Sequence, residues 1–467
     1  MMRNIKLGRI AGAAVTASLA TGVLAGTPGA SASASTPATV AKPATTAAFV
    51  PFSAFIRATA GAQYQAHSAA AVPNAAAFDQ MRSYILATYR GVKVAHSYVF
   101  GGSYFDCVTI LSQPTVRDLG VRKVAAPPAA APAMGRQTGR ALASPLTLGL
   151  SDSYGNAVSC PTGTIPMRRI SLGQMTAFPT LAAYLAKSPA GRRSGAQIPP
   201  AGRRSGAQIP PAGPRPGAQI QPGGPHRYGV GYQHVANYGG NSWLNLWNPS
   251  GDFTLSQQWY SNGSGSGTQT VEGGWIHYPA KFGNSAVLFI FSTPDDYTSG
   301  CYDLECSGFV QTNSSVALGG AFTNYSTPGG TQWGFSLQWK YYNGNWWMYY
   351  QGSAVGYYPG SVFGGGPMAT SSSLIEYGGE TYTDGTIWPQ MGSGAFADAG
   401  WAIAAFQKTI FYISQNAPGG TGAWAILAPL MTNPDCYTIN VVNWPNDSGW
   451  GTYFYFGGPG SILGGIC

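Results

Sequence analysis

Charged residues are scarce in this chain. Only 9% of its 467 residues are Asp, Glu, Lys or Arg, and glutamate occurs only at Glu272, Glu305, Glu376 and Glu380. So little charge excludes a coiled coil, while 44% hydrophobic residues exclude an acidic disordered chain. Histidine is also rare: His67, His96, His226, His234 and His277 show no H-x-H or H-E-x-x-H spacing, so neither a metal nor another cofactor is expected. No G-x-S-x-G elbow and no P-loop occurs, which removes common serine-hydrolase and nucleotide-hydrolysing signatures. No strongly apolar run reaches the roughly 20 residues a membrane span needs. The charge that exists is split by position: residues 1–226 carry +17 and the remainder −8. The C-terminal part therefore has no bulk positive charge with which to attract nucleic acid.

What is present divides the chain into five parts. Arg3, Lys6 and Arg9 precede a mildly apolar stretch and A-x-A sites at Ala30 to Ala32 and Ala32 to Ala34. Residues 1–34 therefore read as a secretory signal peptide, predicting a secreted protein. Residues 35–72 are rich in Ala, Ser and Thr and read as a flexible lead-in. Over 73–187, Phe78, Met81, Ile85 and Tyr89 predict a helix, and runs at 92–100 and 104–111 flank Gly101-Gly102 like a hairpin, giving a small α+β unit. Residues 188–227 are a linker in which AGRRSGAQIPP occurs twice (190–200 and 201–211), followed by AGPRPGAQIQP at 212–222. All 13 tryptophans lie after residue 242, within a final unit at 228–467. Its aromatic and β-branched runs at 253–260, 267–278, 286–292, 332–342, 345–351 and 452–456 are punctuated by Gly, Asn and Pro, with one helix-like stretch at 395–406. An all-β domain of two packed antiparallel sheets, a β-sandwich, is predicted. Export makes the six cysteines disulfide candidates with fifteen formal pairings; domain separation suggests Cys107 with Cys160, and within the final unit Cys301 with Cys306 is expected to close a tight loop and Cys436 with Cys467 to tie down the C-terminus.

With nucleophile motifs absent, carboxylates are the remaining catalytic candidates. Glu272 and Glu380 both sit among glycines, in VEGGW and YGGET, where a substrate chain can come close. Strand alternation puts Thr268, Thr270, Glu272, Gly274, Ile276 and Tyr278 on one face. Composition alone also allows either Glu to decorate a solvated surface.

The chain resembles the neprosin family of glutamic peptidases. The stretches that carry the likeness are SQQW (256–259), VEGGWIHYP (271–279), SGCYDLECSGFVQTN (299–313), GNWWM (344–348), VGYYP (355–359), YGGE (377–380), MGSG (391–394) and CYTI (436–439). FDCVTILSQP (105–114) and CPTGTIPMRR (160–169) resemble the family's activation peptide. The resemblance implies that Glu272 and Glu380 are the catalytic pair and that one of two facing carboxyl groups keeps its proton while the other activates water. It further implies a zymogen inhibited by its own 73–187 pro-domain, cleaving peptides after proline at acid pH. Gln258, Trp259 and Gln390, in or beside these motifs, are expected to position water or substrate, and Pro200, Pro211 and Pro222 are candidate self-processing sites. A monomer acting on proline-containing peptides is expected, with no nucleic acid or membrane partner. Two other readings remain open from the residues alone: a carbohydrate-binding β-sandwich, which would leave peptides intact, and a carboxylate-dependent glycosidase, which would release reducing sugar.

Overall fold

The computed structural model describes residues 48–65, 71–130, 151–188, 226–416 and 420–461. The signal-peptide stretch, the three linker prolines and Cys467 lie outside them. Helix α1 (Phe52–Gly61) falls within the stretch read as a flexible lead-in, and corrects that reading. Phe52, Phe55 and Ile56 stand at i, i+3 and i+4, and the rings of Phe52 and Phe55 each lie 5.6 Å from that of Tyr89. Average composition hid this short apolar stripe. Helix α2 (Ala75–Thr88) follows the predicted spacing, burying Phe78, Met81 and Ile85, and Asn74 caps it by accepting from Ala77 N at 2.9 Å.

Strands β1 (Val94–Phe100) and β2 (Ser103–Thr109) form the predicted hairpin, with β3 (Thr164–Arg168) paired to β2. Cys107 of β2 is bonded to Cys160. Short helices α3 (Pro114–Asp118), α4 (Leu172–Met175) and α5 (Leu181–Leu185) complete the N-terminal unit. Thr180 caps α5, whose last turn ends at Ala186 in extended conformation. That change of direction turns Lys187 and Ser188 away from the helix axis.

The β domain departs from the expected sandwich. Its strands are β4 (His226–Asn245), β5 (Phe253–Asn262), β6 (Gln269–His277), β7 (Val287–Thr293), β8 (Cys301–Tyr302), β9 (Val310–Gln311), β10 (Gly334–Tyr342), β11 (Asn345–Tyr350), β12 (Ser353–Pro359), β13 (Ser372–Tyr382), β14 (Ala405–Ser414), β15 (Gly422–Trp424), β16 (Ala428–Met431), β17 (Thr438–Val442) and β18 (Tyr453–Gly457). Hydrogen bonds join all fifteen into one curled antiparallel sheet rather than two separate ones. The reason is β4. Its 20 residues span about 65 Å at ~3.3 Å per residue, and it pairs with β13 and β16 in its first half and with β10 and β14 in its second. The sheet folds back on itself, so that a Cβ at Gly273 of β6 would stand 3.1 Å from Leu337 of β10. The core between contains buried Trp275, Trp339, Trp346 and Tyr358. The helix-like stretch at 395–406 forms only one short 3-10 turn, Ala397–Ala399, before β14 begins. Cys301 and Cys306 are bonded, and Cys436 is buried.

Candidate active site

Three rows of residues cross β6, β5 and β13 on one face. The first contains Glu272, Trp259 and Glu376, the second Gly274, Gln257 and Gly378, and the third Ile276, Leu255 and Glu380. Glu272 and Glu380 therefore stand at opposite corners of a patch whose middle row carries one side chain, Gln257. Glycine is required on both sides of it. A Cβ at Gly274 would lie 2.0 Å from the Ser256 carbonyl oxygen, and one at Gly378, where φ is 154°, would lie 2.3 Å from that of Gly229. Close approach of the neighbouring backbone thus leaves Gln257 as the one side chain in the row between the two acids.

Each carboxylate is fully buried and held by its own neighbours. Glu272 accepts from Gln257 Nε2 at 2.7 Å, from Thr270 Oγ1 at 2.7 Å and from the Tyr297 hydroxyl at 2.6 Å. Tyr297 reaches it from a turn after β7 in which its φ is 58°, left-handed backbone that is uncommon for a bulky residue. Thr293 Oγ1 secures that turn by accepting from Tyr297 N at 2.9 Å. Glu380 accepts from the hydroxyl of Tyr228, its cross-strand partner on β4, at 3.1 Å, and His226 Nδ1 lies 2.8 Å from the same oxygen.

The N-terminal unit enters between them. Lys187 Nζ is 2.6 Å from Glu272 Oε2 and 3.1 Å from Glu380 Oε2, its side chain 2% exposed. The ammonium lies 5.2 Å from the Trp259 ring centroid and 5.5 Å from that of Tyr297. The Tyr302 hydroxyl donates to the Lys187 carbonyl. Burial, reinforced by Tyr278 and by Glu380 and Glu272, pushes that hydroxyl's pKa well above its ordinary value, so it stays a donor. One residue on, Ser188 Oγ lies 3.0 Å from His226 Nε2. A second anchor joins Arg168 of β3 to Glu305, which also meets Lys281 Nζ at 2.7 Å. Burial would raise the Glu305 pKa, but Lys281 and Arg168 overcome it and hold the carboxyl below its usual value. Nearby Asp303, with Ile290 N donating to it at 3.0 Å, is pushed up to about 8 by burial.

Of the residues singled out from sequence, Glu272, Glu380 and Trp259 share this site. Gln258 does not: it points to the other face, donating to Ser242 Oγ and the Leu337 carbonyl, both at 2.8 Å. Gln390 contacts Ser250 through its side-chain oxygen, outside the cluster around Lys187. The contributors missed in sequence are Lys187, Gln257, Thr270, Tyr228, His226, Tyr297 and Tyr302. Two of them carried a usable signal: strand alternation already put Thr270 on the face of Glu272, and SQQW offers two adjacent glutamines of which alternation allows one on the acid face. Among the described residues, no group of three or more His, Cys, Asp and Glu side chains converges to hold a metal ion. No helix among them is long and apolar enough to cross a membrane.

Residues 250–459 match the Neprosin family model. Both glutamates lie inside the matched span, which forms a neprosin-type catalytic domain and makes the protein a glutamic peptidase, a hydrolase of peptide bonds. This enzyme class sets aside the two carbohydrate-directed readings.

Proposed function

We propose that this neprosin-type domain is the catalytic part of a secreted zymogen, that Glu272 and Glu380 are its catalytic pair, and that the N-terminal unit silences it through Lys187. The observation that carries the reading is the single ammonium shared by the two buried carboxylates. With Lys187 in place, neither acid is free to receive a proton from water or to give one to a leaving amine. With Lys187 gone, the two carboxylates that shared its ammonium are left facing each other, and a proton bound between them relieves their repulsion. The ionised member takes a proton from water as its oxygen attacks the peptide carbonyl carbon. The protonated member donates to the amide nitrogen as the C–N bond breaks.

Acid favours this state twice, because protons on the pair weaken its hold on Lys187 and supply the proton the reaction uses. Cleavage after proline, and self-cleavage near Pro200, Pro211 and Pro222, extend the reading to the substrate. A linker whose ends, Ser188 and His226, meet beside the pair presents its prolines at high effective concentration. The test is to acidify the purified full chain with a proline-containing peptide, in parallel with Glu272→Gln, and to sequence the products. Hydrolysis after proline by wild type alone supports the proposal. Equal hydrolysis by the variant, or none by wild type, overturns it.

A further inference from the structure

The seat of Lys187 is assembled from the β domain alone. Gln257, Thr270 and Tyr297 hold Glu272, and Tyr228 holds Glu380, through hydrogen bonds that do not involve the lysine. The faces of Trp259 and Tyr297 flank the ammonium from groups equally fixed in that domain. Such a seat is organised before the lysine arrives and persists after it leaves. Its shape suits one chemistry. A compact –NH3+ presents its donors to both carboxylates, whereas a quaternary ammonium has no N–H and an alcohol has no charge.

We infer that the glutamate cleft is a receptor for primary alkylammonium ions in general, whichever molecule delivers them. Free alkylamines, extended diamines and the lysine side chains of other peptides are then reversible competitors at the catalytic pair. The inference rests on the proposed role of Glu272 and Glu380 only for the word catalytic, because binding itself needs no turnover. An ionised carboxylate holds an ammonium more strongly than a protonated one, so acid weakens the seat. The other titratable groups facing the pair are His226 and Tyr228 from β4, Tyr297 after β7, Tyr302 of β8 and Tyr358 of β12. Of these, only the His226 imidazole, whose Nδ1 lies 2.8 Å from Glu380 Oε1, is of a type that can carry positive charge beside the pair.

Chemical rescue tests this on the full chain. Lys187→Ala removes three methylenes and the ammonium, a fragment that n-propylammonium replaces. At neutral pH, millimolar n-propylammonium is expected to raise the melting temperature of Lys187→Ala but not of wild type, whose seat is filled. Equimolar n-propanol or tetramethylammonium should give a shift at least about tenfold smaller, and Lys187→Ala/Glu272→Gln should lose the response. No selective shift, or an equal shift from tetramethylammonium, overturns the inference. A second arm covers failure of the variant to fold: acid-activated wild type, assayed at the highest pH at which it still hydrolyses peptide, should be inhibited competitively by n-propylammonium and not by n-propanol. Peptide hydrolysis untouched by the amine sinks the inference and leaves the peptidase reading standing. A selective thermal shift without hydrolysis does the reverse.

Discussion

Two cations of the N-terminal unit are buried in the β domain, and they are arranged in opposite ways. At Arg168, two cations share one carboxylate, because Lys281 of the β domain also pairs with Glu305. At Lys187, one cation is shared by two carboxylates. Withdrawing the N-terminal unit leaves a neutral Lys281–Glu305 pair at the first place and two facing acids at the second. The first can be vacated without stranding a charge, so it acts as a dock. The second cannot, since a buried charge deprived of its partner is strongly unfavourable. On the proposed reading it is a plug, whose removal changes the chemistry of what it covered.

The largest test of this contrast is loss of the acids themselves. Glu272→Gln and Glu380→Gln should each reduce peptide hydrolysis at least about 100-fold while circular dichroism reports an unchanged fold. Residual activity near wild type in either would remove that glutamate from the mechanism. Lys187→Met should come next. It leaves two buried carboxylates without their shared cation, which weakens seating of the N-terminal unit by about 3–5 kcal/mol. Full chain with an intact linker should then hydrolyse peptide at a pH where wild type is silent.

Arg168→Met should matter less, because Lys281 still neutralises Glu305. Since Glu305 is held below its usual pKa, the stability it lends is present above the ordinary carboxylate range and is lost as pH falls through the depressed value. Size-exclusion chromatography after linker cleavage should show the variant's N-terminal unit departing at a higher pH than wild type's, though still bound at neutrality. The sign reverses at Asp303. Its pKa is raised to about 8, so its favourable contribution is complete below the ordinary carboxylate value and disappears as pH rises through about 8. Asp303→Asn should therefore raise the melting temperature by about 2–4 °C at pH 8 and leave it unchanged at pH 3. Smallest of all, Glu376→Gln should alter hydrolysis by less than about threefold. It lies on the same face as the pair, but Trp259 stands between it and Glu272 in their row.

The N-terminal helix and hairpin, most strands and the glutamate pair were legible in sequence because each rests on local pattern or on motif. The site's remaining members depend on register. Whether Gln257 or Gln258 faces Glu272 follows from pairing Trp259 with Glu272, a phase between strands that neither strand contains by itself. Lys187 closes a contact with Glu380 across 193 positions and lies just beyond a five-residue helix, with nothing around it to mark it out. The single curled sheet was missed for a similar reason. No run was assigned at 226–245, where glycines dilute the aromatic and β-branched pattern, yet one long strand there serves both halves of the fold.

The contact between Ser188 and His226 joins residues 38 positions apart at 3.0 Å. The intervening segment consequently measures no distance: it leaves and returns at one spot. A tether of that kind sets no lower or upper limit on its own length, since doubling a flexible loop costs only about 0.6 kcal/mol in closure entropy. An eleven-residue unit added or removed between Ser188 and His226 therefore leaves both folded partners where they are.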